Sequence, residues 1–206
     1  MHRLTRGHAL MSVSGWSLMV ALSSKHGSRR PYAIGSLSFG GDVTNVTVTA
    51  RGQAVQGAKS DVAITKIAVR GGVTGSSFLA GYDAAGVAVN PDAQVGTVTV
   101  GGSWTASNLV AGIAGGADPG FGNAQDIVAS GFDNAAIVSR IASVIIGGTV
   151  TGSAAPADLD HFGFVAQMIS KFKANGIAAT LNDATAGQFL EFDDANDDVT
   201  LREIIT

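Results

Sequence analysis

The chain has no cysteine. No disulfide, thiolate metal site or cysteine nucleophile is therefore open to it. Charge is scarce as well: Asp, Glu, Lys and Arg make up 14% of the 206 residues, where ordinary domains carry about 25%. The net charge is −3 and no basic patch interleaves with aromatics, so there is no reason to expect nucleic acid as a partner. No apolar run reaches the roughly eighteen residues of a membrane-spanning helix. No G-x-S-x-G elbow followed in order by an acid and a histidine is present, which leaves serine-type nucleophilic catalysis without support. Gly-rich stretches such as Gly112-Ile-Ala-Gly-Gly-Ala lack the Gly-Lys-Ser/Thr of a phosphate loop and read as turns.

What the chain does have is glycine, 28 residues of it, about twice the usual share. With 46% hydrophobic residues and little charge, it is a folded domain with a core of its own. The glycines punctuate a repeat, Φ-x-x-Φ-x-Φ-x-G. Its copies are Ile34-Gly-Ser-Leu37-Ser-Phe39-Gly-Gly, Ile64-Thr-Lys-Ile67-Ala-Val69-Arg-Gly, Val95-Gly-Thr-Val98-Thr-Val100-Gly-Gly and Ile141-Ala-Ser-Val144-Ile-Ile146-Gly-Gly. A weaker fifth copy is Ile169-Ser-Lys-Phe172-Lys-Ala174-Asn-Gly176. The first four copies are followed by Val43-Thr44, Val73-Thr74, Trp104-Thr105 and Val150-Thr151. The copies start 30, 31, 46 and 28 residues apart, the signature of a solenoid.

Apolar pairs such as Leu37/Phe39 and Val98/Val100 lie two apart, which is strand periodicity. The Gly-Gly pairs after them are expected to turn the chain through φ > 0. A second strand follows, with Thr44/Val46/Val48/Ala50, Thr74/Ser76/Phe78/Ala80 and Thr105/Ser107/Leu109/Ala111 as its more apolar parity. The preceding Val43, Val73, Trp104 and Val150 also read as buried, which requires a corner or bulge. Strands this short bury a face only by stacking on their equivalents about 4.8 Å away. The connections carry no ten-residue helical stripe, so helical crossovers are disfavoured. The expected fold is all-β, a right-handed parallel β-helix of about five coils over residues 32–206. Its threonines (Thr44, Thr74, Thr105, Thr151) form one column, whose hydroxyls and methyls could order water; the plain reading is a stacked column.

Residues 1–31 stand apart. They hold Arg3, Arg6, Lys25, Arg29 and Arg30 and no acid, while the rest has eight Lys/Arg against sixteen Asp/Glu. Basic residues precede an apolar stretch, Ala9 to Leu22, that Ser12, Ser14, Gly15 and Ser17 interrupt. The segment reads as an export signal, a disordered leader or a start inside a longer gene.

The third repeat interval is about 16 residues longer than its neighbours. The excess, from Ala114 through Asp133 and Ile137, is rich in Gly, Asp and Pro and is expected to bulge from the rod as a loop. Insertions in solenoids gather on one face, often the binding face. Its Asp118, Asp126 and Asp133 are candidate ligands for Ca²⁺, a hard cation that takes six to eight oxygens. A second candidate set is Asp194, Asn196 and Asp198, which resembles the start of a Ca²⁺ loop but has Val199 where glycine belongs and Ile205 where the bidentate acid belongs. Solvated acidic turns are the alternative in both places. Asp42, Lys66 and Arg70 project outward without forming a column of paired acids, and His161, the lone histidine of the repeats, reads as structural. No residue is assigned as catalytic.

The units "IxxVxVxGxVTxSxΦxAG", the loop with "DPGFG", the phrase Asp160-His-Phe-Gly-Phe-Val-Ala166 before Ile169-Ser-Lys-Phe172-Lys, and the closing Val199-Thr-Leu-Arg-Glu203 resemble the C-terminal end of large bacterial secreted β-strand-repeat proteins. The resemblance covers residues 32–206. It implies an exported, surface-associated parallel β-helix; the expected partners are surface glycans or cell-envelope components, and the chain is expected to be part of a longer repeat protein. It carries no catalytic motif across. The expected function is a structural or adhesive module without catalysis, secreted or at the cell surface. The alternative is a polysaccharide lyase or glycoside hydrolase, whose site would need clustered carboxylates and an Arg or Lys.

Overall fold

The computed structural model describes residues 8–11, 18–22, 33–118, 120–153, 161–179, 181, 189–192 and 198–205. Among them the chain is all-β, without a helix and with mostly parallel strands. A first sheet runs through His8–Met11, Ser36–Phe39, Asp61–Val69, Ala93–Val100, Arg140–Ile146 and Phe172–Ala174, all parallel. A narrow second sheet joins Val43–Thr44, Val73–Thr74, Trp104–Thr105 and Val150–Thr151. A third runs through Leu18–Leu22, Val46–Ala50, Ser77–Ala80, Asn108–Ala111, Phe162–Ala166 and Val199–Glu203. His8–Met11 and Leu18–Leu22, which lie within the stretch set apart as a leader, extend the first and third sheets.

The repeat falls in register at each of its apolar positions. Ile34, Ile64, Val95, Ile141 and Ile169 pair in succession. So do Leu37, Ile67, Val98, Val144 and Phe172. The weak fifth copy therefore sits squarely on the fourth. These side chains are at most 4% exposed, and each fully buried one contributes about 1.5–3 kcal/mol. The threonines also pair in one line, Thr44 to Thr74 to Thr105 to Thr151.

The Gly-Gly pairs do a different job from the one expected. None of them has positive φ. Instead their stacked backbones touch: Gly71 N donates to Gly41 O, Gly102 N to Gly71 O and Gly148 N to Gly102 O. A Cβ on Gly102 would lie 2.8 Å from Gly72 N. In the three later pairs glycine is there for want of room, whereas a Cβ on Gly40 or Gly41 would meet nothing within 4 Å.

The positive φ comes three or four residues later, at Asn45 (53°), Gly75 (57°) and Ala106 (44°). One left-handed residue reverses the side-chain alternation, so Val43 and Val46, or Trp104 and Leu109, all reach the core. That is the corner that two competing apolar parities demanded. The chain's amides turn with it, and serine hydroxyls take up the slack. Ser76 Oγ accepts from Val46 N at 3.1 Å, and Ser107 Oγ accepts from Ser76 N at 3.0 Å. A Cβ on Gly75 would meet the Asn45 side-chain amide of the neighbouring repeat, its oxygen at 2.5 Å.

Inside, aromatic rings run from one repeat to the next. Phe39 to Phe78 (6.3 Å), Phe78 to Trp104 (6.0 Å), Trp104 to Phe164 (5.0 Å) and Phe164 to Phe172 (5.0 Å) form an unbroken series. Trp104 Nε1 donates to Ser107 O at 2.9 Å, so the one polar atom of the ring is satisfied. At the last repeat the pairing changes sense. Ile177–Ala179 turns back antiparallel on Phe172–Ala174, and Phe189–Glu191 on Val199–Glu203. Buried Leu181 and Phe192 cover the end of the core. Apolar plugs and returning strands thus close this end; of the polar turn Asp193 to Asp198, which the sequence offers as a C-terminal cap, only Asp198 is among the described residues.

The long insertion does not bulge away. It folds back over the outer face of the third sheet, where Leu79, Val110 and Val165 pair in a line. Ile113–Ala114 pairs antiparallel with Ile127–Val128. Tyr82 and Ile113 complete a small second core, against which Phe121, Val128 and Ile204 pack. The Tyr82 hydroxyl donates to Ile113 O at 2.7 Å, and Phe121 N donates to His161 O at 3.0 Å. An apolar stripe on the outer face of the sheet draws the loop down, and the sequence hides it within strands whose other face makes the main core.

Two outcomes test this account. Phe164→Ala, at the centre of the aromatic series, should cost about 3–5 kcal/mol in denaturant unfolding. Ala106→Gly should raise stability by roughly 0.5–1 kcal/mol, because alanine there holds φ at +44°; a loss of stability would contradict the corner as described.

Candidate functional site

Three connections from the third sheet back to the first stack on one edge of the molecule: residues 51–60, 81–92 and 112–139. Between them lies a cleft of about 360 Å³, lined by Arg51, Gln53, Ala54, Gln56, Asp61, Val89, Asn90 and Phe132. Its floor is a hydrogen-bonded network around two buried carboxylates, Asp61 and Asp92. The nitrogen of the Gln56 amide donates to both, at 3.1 Å to Asp61 Oδ2 and 2.8 Å to Asp92 Oδ2. Asp61 also accepts from Gln53 N at 2.6 Å and from Asn90 Nδ2 at 2.8 Å. Asn90 Nδ2 donates its other hydrogen to Arg51 O at 2.7 Å, and Asn90 Oδ1 accepts from Asp92 N at 3.1 Å. Asp92 holds the third loop through Asn134 N, at 3.0 Å from Oδ2.

The chemistry follows from that inventory. Buried charge is tolerated only when hydrogen bonds replace water. Here four donor groups from three loops do so through five hydrogen bonds, and the carboxylates act as rivets. Burial pushes the Asp92 carboxyl above its ordinary value, while Asn134 N and Gln56 pull it back and the charges of Asp133 and Asp61 add to the rise. Gly52 lies under the same network at φ +123°, where a Cβ would run into the Asn90 amide and lie 2.9 Å from both Asp61 oxygens. With both amide hydrogens spent, Gln56 offers the cleft only its oxygen. Phe132 stands at the wall 78% exposed.

Of the residues read from the sequence as Ca²⁺ ligands, the described Asp118, Asp126, Asp133 and Asp198 do not gather into one site. Half-buried Asp118 accepts from Gln125 Nε2 at 2.7 Å. Asp133 is exposed on the far side of the insertion, next to the Asp92 network. Asp126 is buried beneath the loop and accepts from Gly122 N at 2.6 Å. Asp198 is buried and accepts from Ser153 N at 2.9 Å. Asp194 and Asn196 lie outside the described residues. Among the described residues no three His, Asp or Glu side chains gather as a metal site would require. His161 docks the insertion with its backbone, through Phe121 N and the pairing with Gly120.

Asp126 has a consequence of its own. Burial raises its carboxyl from 3.8 to about 6, against the Gly122 N hydrogen bond and the charges of Arg202 and His161. Its Oδ1 and Asn123 Nδ2 are buried without a hydrogen-bond partner. The nearby Tyr82 hydroxyl is raised too, by burial first and by the Asp126 charge second.

The sequence reading missed Asp61 and Asp92, and a signal for them existed. Each stands three residues before the first apolar position of its repeat, Ile64 and Val95. Gln56 and Asn90 lie in loops of unlike length, and no spacing rule links them to these acids. Compared with protein-family models, with curated proteins and with solved structures, the chain matches none.

Two predictions follow from this geometry. Gly52→Ala should lower stability by about 2 kcal/mol, or roughly 4–8 °C in Tm, with amide exchange quickening first in residues 51–60. Because the fold favours the protonated Asp126, its contribution is complete below the ordinary carboxyl value and is lost as pH rises between about 4 and 6. Exchange protection of residues 120–128 should therefore fall across that window, and Asp126→Asn should flatten the dependence.

Proposed function

We propose that residues 32–206 form a right-handed parallel β-helix of about five coils. In this reading the chain is a structural or adhesive module of a secreted or cell-surface bacterial protein, works without catalysis, and presents its stacked loops to surface glycans or cell-envelope material. It is similar in repeat grammar to the C-terminal region of the large secreted β-strand-repeat proteins. The observation that carries the reading is how the paired carboxylates are used. Asp61 and Asp92 spend their oxygens on Gln53, Gln56, Asn90 and Asn134, and so brace the loops instead of facing a substrate.

One observation favours the second reading, a polysaccharide lyase or glycoside hydrolase. The two carboxylates share one amide nitrogen, and Asp61 lines the same cleft as Arg51; paired acids with a cation are what glycosidic cleavage uses. The two readings part on turnover. The folded protein, incubated with uronate-containing and neutral polysaccharides with and without Ca²⁺, should release neither unsaturated products nor new reducing ends. Cleavage abolished by Asp61→Asn or Asp92→Asn would overturn the module reading. Cleavage abolished by chelation would overturn it as well.

A further inference from the structure

We infer that the cleft between Arg51, Gln56, Asn90 and Phe132 is a subsite for one uncharged pyranose ring of a polysaccharide. The inference rests on the module reading above and specifies what the stacked loops hold.

A sugar ring has two kinds of surface, a ring of hydroxyls and a face of C–H bonds. The cleft offers a match for each. Phe132 is a large apolar ring left 78% exposed at the wall, an arrangement costly to leave in water and suited to a flat apolar partner. Ala54, from the loop that supplies Gln53 and Gln56, and Val89 also line the cleft and add apolar wall. The hydroxyl partner is Gln56. Its nitrogen is fixed by Asp61 and Asp92, so its remaining oxygen is held in one orientation as an acceptor. Binding there orders no side chain that is not already ordered, and such preorganisation favours weak, specific recognition.

Charge selects among sugars. Asp61 and Asp92 are buried, where their fields are poorly screened, whereas the Arg51 side chain is exposed to water and salt. An acidic sugar would gain a screened cation and meet two unscreened anions. An uncharged ring meets neither difficulty, and its hydroxyls can donate to Gln56 Oε1.

Saturation-transfer NMR and calorimetry on the full chain, with neutral gluco-, galacto- and manno-oligosaccharides and with oligogalacturonate, decide the matter. One neutral series should bind and transfer saturation from Phe132. Phe132→Ala, an exposed site, should weaken binding by about tenfold or more with the circular dichroism and Tm unchanged. Arg51→Ala should change it less than about twofold. Thr97→Ala, on the first sheet, is the control. No binding of a neutral series up to about 10 mM, binding indifferent to Phe132→Ala, or oligogalacturonate preferred and lost in Arg51→Ala would each overturn the subsite. Retention of insoluble polysaccharide by wild type and Phe132→Ala alike would overturn the subsite while leaving the module reading intact; turnover would defeat that reading whatever the cleft binds.

Discussion

Main-chain hydrogen bonds between residues about thirty positions apart hold every other feature of this protein in place. Leu37 lies beside Ile67, Ile67 beside Val98 and Val98 beside Val144 because parallel strands pair like with like. No single repeat has a face it can bury alone. Once one repeat lies on the next, identical chemistry meets itself: isoleucine on isoleucine, threonine on threonine, glycine backbone on glycine backbone. The stacking also explains the composition. A column of glycines exists because neighbouring backbones touch there, and charge is scarce because like charges in a column would repel.

Within that frame the corner is the most economical device. A single residue at positive φ moves the buried side from one parity to the other, and Asn45, Gly75 and Ala106 all perform it. The backbone sets the corner and the side chain only tolerates it. Serines at the next position supply acceptors for amides that the bend has turned away from their carbonyl partners. The aromatic series then fills the space that the corner encloses, with its rings drawn from all three sheets.

Much of the sheet architecture was legible, and the reason is physical. Strand alternation and a fixed period are local properties that survive in the sequence, so Φ-x-x-Φ-x-Φ-x-G gave the pairing of Ile64 with Val95 and even of Val144 with Phe172. The dual apolar parity at Val43 and Val46 announced a corner without revealing its mechanism. The insertion was misjudged because its anchor, Leu79, Val110 and Val165, lies on the outer side of strands whose inner side makes the main core. The cleft was less legible still. Its amides and acids come from loops of 10, 12 and 28 residues, and hydrogen bonds across such loops leave no period to count. Calcium drew attention because clustered aspartates are visible in a sequence, whereas the use each one makes of its oxygens is not.

The way the sheets are bonded sets how this protein meets force. Its inter-strand hydrogen bonds point from each repeat to the next, so a pull along the stack loads a few of them at a time. The terminal strands then peel, and the remainder stays folded. A pull along the strands would instead shear many bonds together, and rupture would wait on the slow rate of the whole. A stack of strands bonded this way lengthens gradually under axial tension and stiffens against a sideways load.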